Sequence, residues 1–164
     1  MIMQFTGHRA RVLALLLCAG GLSACVANEP SNNAVPQVVG SAASGAAQTL
    51  AAQRLQAIGR GDVQAIVQGY GENATLNWVG GPLDGTYRGT EQLASVWQRF
   101  VTAQGPMRVM LGAAVEGANP RGATVITPVA FVGDRTTVKV RHVVVLRGGR
   151  VVNETWQVDP ALAV

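Results

Sequence analysis

The sequence of 164 residues contains little cysteine, histidine or charge. Its two cysteines cannot form the framework of a disulfide-stapled scaffold. Charged residues make up 13% of the chain and hydrophobic residues 48%, which excludes a wholly disordered chain. The 20 glycines do not recur at every third position, which excludes collagen. The length is typical of one domain rather than two.

The first 24 residues have the layout of a secretory signal peptide. Residues 1–11 contain Arg9 and Arg11 and no acidic side chain, and residues 12–22 are apolar. The apolar run is shorter than the about 20 residues that a transmembrane helix needs. It leads into Leu22-Ser23-Ala24-Cys25, which resembles the lipobox of bacterial lipoproteins. An ordinary signal peptide that contains a cysteine is the alternative.

The lipobox resemblance implies cleavage before Cys25 and acylation of that cysteine. The protein would then be exported and held on the bacterial cell envelope by its acyl chains. Since Val26 rather than an aspartate follows the cysteine, the resemblance favours the outer membrane. Cys18 would be removed with the leader, so no intramolecular disulfide could form. The loss of Arg9 and Arg11 lowers the formal charge from +4 to +2, and we expect no nucleic-acid partner.

Residues 25–46 read as a flexible linker, because they are rich in proline, asparagine, serine and glycine and have no apolar period. Residues 47–164 would form one domain. The apolar spacing predicts a helix over 48–60 and a second one that begins after the cap Asp62. A third helix is predicted from Thr90 to about Gly105, with Leu93, Trp97 and Phe100 on its buried face.

Strands dominate the rest of the chain. A short strand is predicted between the second and third helices, and four antiparallel strands after the third. Gly148-Gly149 joins the last two strands as a hairpin. The order of elements predicts an α+β domain with helices packed on one face of a sheet. The predicted strands are 74–79, 107–116, 123–132, 136–147 and 150–159.

Four segments, in this order and spacing, make the chain similar to the NTF2-like superfamily, especially its SnoaL-like members: Asp62–Ile66, the short strand Ala74–Trp78, Gly85–Leu93, and Gly149–Val151 followed by Asp159. The resemblance implies a cone in which three N-terminal helices pack on a curved, mostly antiparallel sheet. It also implies a pocket between sheet and helices. Members include isomerases, cyclases, dehydratases, hydrolases and binding domains without enzymatic activity, so the fold leaves the function open.

Pairing across the Gly148-Gly149 turn sorts the last two strands into two faces. If Arg147 lies opposite Arg150, then Arg141, Glu154 and Trp156 share one face, which the resemblance turns into the pocket. A shift of the register by one residue would move the side chains of one strand to the opposite face of the sheet. The second face carries His142 with four aliphatic neighbours, and it could serve as a homodimer surface: Val138, Val140, Val144 and Leu146.

Glu154 is the candidate acid or base, with Arg141 as its electrostatic partner. The alternative is a structural ion pair at the rim of a cavity. His142 is a second catalytic candidate, or a hydrogen-bonded core residue. Ketosteroid-isomerase-like relatives carry a carboxylate base where this chain has residues 77–81, which contain none, and Asp84 more simply shapes a turn. We expect neither a cofactor nor a metal site, since His142 would be the one histidine after the leader.

The aromatic side chains are spread over elements that should converge. They would either line a pocket for an apolar ligand or pack as a plain core. The residues assigned to the pocket are Tyr70, Trp78, Trp97, Phe100 and Trp156, and Phe131 belongs to the same set.

The sequence therefore favours a lipid-anchored envelope protein that binds a small apolar molecule or a protein partner. The alternative is a SnoaL-like isomerase, cyclase or hydrolase that uses Glu154. A third hypothesis is a structural or assembly role at the outer membrane.

Overall fold

The structure is a computed structural model that describes residues 41–164, with side chains from residue 45 onward. The predicted signal peptide, Cys25 and most of the predicted linker lie outside the described residues. The described part contains three helices and seven strands. In chain order these are α1 (Ser41–Arg60), α2 (Val63–Gln68), β1 (Tyr70–Val79), β2 (Gly85–Arg88), α3 (Gly89–Gln104), β3 (Arg108–Leu111), β4 (Val115–Asn119), β5 (Gly122–Val132), β6 (Thr137–Arg147) and β7 (Arg150–Val158).

The helices form where the apolar spacing predicts them, and local signals set their ends. The side chain of Asp62 accepts a hydrogen bond from the Ala65 amide and so caps α2. Helix α3 buries Leu93, Trp97 and Phe100 and ends at Gly105, whose φ of 70° suits glycine. Helix α1 begins at Ser41, seven residues before the predicted start, and so includes residues that the sequence analysis assigned to the linker.

The sheet is mixed, with the strand order β2-β1-β7-β6-β5-β3 and with β4 also paired to β5. Neighbouring strands run antiparallel except β1 and β7, which run parallel. The predicted strand over 107–116 is two strands, and β2 forms where the sequence analysis placed no strand. The prediction that all three helices are N-terminal is wrong, because α3 follows β2.

A β-bulge at Val152 changes the faces of the last hairpin. Arg147 pairs with Arg150 as predicted, but Val145 pairs with Asn153, so Val152 is an extra residue in β7. From there on, the register is shifted by one position, and Trp156 lies opposite His142. The predicted separation of Glu154 and Trp156 from His142 is therefore wrong, because a bulge moves every later side chain of its strand to the other face.

One face of the sheet is covered by the helices and forms the core. His142, Val140, Val144 and Leu146 are buried on this face, so the surface predicted for a homodimer lies inside the domain. The opposite face carries the exposed side chains of Val115 and Ile126. Among the described residues, no helix combines the length and the apolar character needed to cross a membrane.

Candidate functional site

Glu154 lies at the centre of a buried polar cluster. Its side chain is 0% exposed, and both of its oxygens are held by neighbouring side chains. Arg54 forms a bidentate pair, with Nε 2.9 Å from Oε1 and Nη2 2.7 Å from Oε2. His142 Nε2 lies 2.7 Å from Oε1, and the Tyr70 hydroxyl donates to Oε2. A carboxylate offers about four lone-pair sites, so these four contacts saturate it.

The cluster joins all three helices to the sheet. Arg54 comes from α1, and its Nη1 donates to the Ile66 carbonyl of α2 at 2.8 Å. Its guanidinium carbon lies 4.2 Å from the centroid of the Tyr70 ring, in a cation–π contact. Trp97 of α3 donates from Nε1 to the Tyr70 hydroxyl at 2.9 Å. We call these five side chains the polar core network: Arg54, Tyr70, Trp97, His142 and Glu154.

The ionisation of the network follows from burial and pairing. Burial raises the pKa of Glu154, but the charge of Arg54 and the hydrogen bonds from His142 and Arg54 outweigh it and hold the pKa well below its ordinary value. Burial lowers the pKa of Arg54, and the attraction of Glu154 more than reverses this. Burial and the Glu154 charge raise the pKa of Tyr70 well above 10. At neutral pH the network therefore holds a carboxylate, a guanidinium and a protonated phenol.

Two buried ring nitrogens beside the network have no hydrogen-bond partner among the described residues: His142 Nδ1 and Trp156 Nε1. The two rings are adjacent, with centroids 6.1 Å apart in an edge-on arrangement. Since the Glu154 carboxylate can only accept, His142 must donate to it from Nε2. The network therefore orients the imidazole ring.

The predicted pairing of Arg141 with Glu154 is wrong. Arg141 lies on the outer face of the sheet with 46% of its side chain exposed, and its nearest carboxylate is that of Asp159 at 3.7 Å. His142, predicted on the face opposite Glu154, contacts it directly. The reason is the bulge at Val152. Sequence reasoning missed Arg54, although a charged residue inside the apolar stripe formed by Ala51, Leu55 and Ile58 was a signal for a buried partner.

The aromatic side chains converge as the sequence predicts, and they pack on one another. Ring centroids lie 5.1 Å apart for Trp78–Trp156, Trp97–Trp156 and Phe131–Trp156, and 5.3 Å apart for Trp78–Phe100. Tyr70 belongs to the polar core network instead. Most of these rings therefore serve as core, and the ligand-binding role assigned to the set stays a prediction.

Two of the cavities in the described part of the chain border buried side chains. The first has a volume of about 360 Å³ and lies between the end of β1, the loop after it and the C-terminal half of α3. Trp78 and Phe100 form part of its wall. The second, of about 380 Å³, lies between α1 and the hairpin of β6 and β7, with Arg54 in its lining. Both volumes suit a small ligand. In the described part of the chain, no three acidic, histidine or cysteine side chains are grouped as a metal ion would require.

Comparison with solved structures places the fold. An NTF2-like protein of unknown function from Pseudomonas putida KT2440 matches with a TM-score of 0.61 and 20% identity, over 71% of this chain and 87% of that one. A protein of unknown function with a cystatin-like fold from Methylobium petroleophilum PM1 matches with a TM-score of 0.57 and 15% identity, over 73% and 80%. An NTF2-like protein of unknown function from Mesorhizobium loti matches with a TM-score of 0.53 and 16% identity, over 71% of this chain and 93% of that one. At these identities the likeness concerns the fold, and it confirms the predicted NTF2-like α+β architecture.

The search of curated proteins finds no match to this chain. A family model for the SnoaL-like domain matches residues 51–154, a span that includes Arg54, Tyr70, Trp97, His142 and Glu154. Such a domain fits ligand binding or isomerase-type chemistry. The chain belongs to the SnoaL-like domain family.

Proposed function

We propose that this protein is a bacterial lipoprotein, anchored in the envelope through Cys25, whose SnoaL-like domain binds a small apolar molecule. In this proposal Glu154 stabilises the fold and does not transfer protons. The observation that carries the proposal is a contrast: the carboxylate of Glu154 is fully buried and saturated, whereas a separate, mostly apolar cavity at Trp78 is open.

Glu154 is poorly suited to acid or base chemistry in this arrangement. A general base must reach the proton that it abstracts, either directly or through one water. The carboxylate of Glu154 is fully buried, and Arg54, His142 and Tyr70 occupy its lone pairs. Its lowered pKa also makes it a weak base. The alternative of a Glu154-dependent isomerase, cyclase or hydrolase would require the network to open.

The cavity at Trp78 has the features of a binding site for an apolar molecule. We call it the Trp78 pocket. Its wall is largely aliphatic and aromatic, and its volume of about 360 Å³ falls in the range of small-molecule sites. The lining residues are Trp78, Gly80, Gly81, Pro82, Leu83, Arg99, Phe100, Ala103, Gln104, Val138 and Val158.

The loop that closes one side of the Trp78 pocket is held in place by two hydrogen bonds, one within the loop and one from β2. The Gly80 amide donates to Asp84 Oδ2 at 2.6 Å, and the Tyr87 hydroxyl donates to the Leu83 carbonyl at 2.7 Å. A wall that is ordered before binding reduces the entropy lost when a ligand is fixed. This supports a preformed site rather than a groove created by the ligand.

Filling the Trp78 pocket is expected to abolish binding of a neutral apolar probe. The full-length protein, labelled with 5-fluorotryptophan and placed in phosphatidylcholine nanodiscs, would be titrated with octan-1-ol. We expect a saturable shift of the ¹⁹F signal of Trp78, assigned with Trp78→Phe. Ala103→Phe should remove the shift, because residue 103 is an exposed helix position that lines the pocket.

The matched control is Thr102→Phe, at the neighbouring exposed position of α3 outside the pocket lining. It should retain the shift. A Trp78 signal that does not respond, or responds equally in Ala103→Phe, would contradict the proposed function. A Glu154-dependent reaction on a cyclic substrate would favour the enzymatic alternative.

The proposed anchor has its own test. Cys25→Ala is expected to abolish labelling by an alkynyl fatty acid and to move the protein from the membrane fraction to the soluble fraction, because the cysteine thiol is the proposed attachment point. Cys18→Ala is the matched control and should leave both readouts unchanged. Acyl labelling that persists in Cys25→Ala would exclude the lipobox interpretation.

A further inference from the structure

We infer that the ligand of the Trp78 pocket is an amphipathic anion, an apolar body that ends in a carboxylate placed against Arg99. This inference rests on the proposed function and specifies its ligand class. The observation behind it is the charge in the pocket wall: the side chains of the lining are apolar apart from Gln104 and one cation, Arg99, and they include no acid.

Arg99 is placed to receive an anionic group. It lines the same pocket as Phe100, on whose ring an apolar body would rest, and both residues come from the C-terminal half of α3. The side chain is exposed at the pocket mouth and makes no ion pair with any residue from 45 onward. A guanidinium presents planar donors that match the two oxygens of a carboxylate.

Gln104 adds a second donor to the pocket wall. Its Oε1 accepts a hydrogen bond from the Thr136 hydroxyl at 2.7 Å, which fixes the amide and leaves its NH₂ group to donate. A carboxylate within reach of Arg99 and Gln104 could accept from both, whereas an alcohol would gain little from the Arg99 charge.

Three charged residues directly follow lining residues in the sequence, and all three are engaged elsewhere. Lys139 donates from Nζ to the Leu162 carbonyl at 3.0 Å. Asp84 accepts from the Gly80 amide and is not part of the lining. Asp159 lies 3.7 Å from Arg141. Arg99 is therefore the charged group of this region that is placed to select a ligand.

The test compares octanoate with octan-1-ol, which have the same chain length and differ in charge. Binding to the full-length protein in phosphatidylcholine nanodiscs is followed by the ¹⁹F signal of Trp78. Octanoate is expected to bind about 5- to 10-fold more tightly than octan-1-ol, since hydrogen bonds to charged groups exceed neutral ones. Arg99→Gln should remove this advantage, and an unchanged urea unfolding midpoint would show that the variant is folded.

Arg88→Gln is the matched control, because Arg88 precedes the first turn of α3, about 16 Å along the helix from Arg99. It should keep the preference for octanoate. Equal affinities for the two probes in the unmodified protein, or a preference that survives Arg99→Gln, would overturn the inference while leaving the proposed function intact. Failure of both probes to shift Trp78 would instead contradict the proposed function.

Discussion

Glu154→Gln is expected to lower the free energy of unfolding by about 3–5 kcal/mol, the usual cost of removing one partner of a buried ion pair. The carboxylate is the acceptor for Arg54, His142 and Tyr70. A glutamine has the same shape but no charge, and its NH₂ group cannot accept. Arg54 would be left as a buried cation beside a donor that repels it.

The measurement is urea denaturation followed by tryptophan fluorescence, with Glu72→Gln at an exposed position of β1 as the matched control. The control should stay within about 0.5 kcal/mol of the unmodified protein. A loss below about 1 kcal/mol in Glu154→Gln would mean that the network contributes little to stability.

A double variant separates the charge from the packing. The double variant Arg54→Met with Glu154→Leu removes both charges. Each single variant leaves one buried charge without its partner, whereas the double variant leaves none. The double variant should therefore lose less free energy of unfolding than the sum of the two single losses. Additive losses would show that the two side chains act independently, in contradiction to their bidentate contact.

The stability of the domain is expected to fall at both ends of the pH range. Because the pKa of Glu154 is lowered in the folded state, the unfolded chain binds the extra proton first as pH falls. The stabilisation is complete above about pH 5, and below about pH 4 it is lost at about 1.4 kcal/mol per pH unit. At alkaline pH the relevant group is Tyr70, whose pKa is raised in the folded state. As pH rises above about 10, the unfolded chain loses the phenol proton first, so the free energy of unfolding falls.

Unfolding midpoints measured from pH 2 to 11 check both slopes. Glu154→Gln should flatten the acid slope, and Tyr70→Phe should flatten the alkaline one. Tyr87→Phe is the control for the second, since the Tyr87 hydroxyl donates to the Leu83 carbonyl and lies outside the network. An acid slope that is unchanged in Glu154→Gln would show that another group controls the acid transition.

Several features of the fold were accessible from local pattern. The spacing of Leu93, Trp97 and Phe100 predicted α3, and Asp62 predicted the start of α2. The hairpin at Gly148-Gly149 was predicted from its two glycines, whose φ values are both positive. These signals act over a few residues, so they are readable in a single sequence.

The site was less accessible, because it depends on contacts between distant parts of the chain. Arg54 and Glu154 are 100 positions apart, and no local rule pairs them. The register of β7 against β6 changes at Val152, and that single residue decides whether Glu154 faces Arg141 or His142. A bulge leaves little signature in a valine-rich strand, since either register buries aliphatic side chains.

The sequence by itself determined the α+β class, the central turns of the three helices and the family, because hydrophobic period, caps and turn residues are local properties. Only the tertiary structure decided what the candidate residues do. It placed Arg54, His142 and Tyr70 around Glu154 and turned Arg141 to the outer face. It also packed the aromatic rings together while leaving Trp78 and Phe100 at the wall of a cavity. The physical reason is that a buried carboxylate needs specific partners, and the strand register and helix packing determine which side chains can reach it.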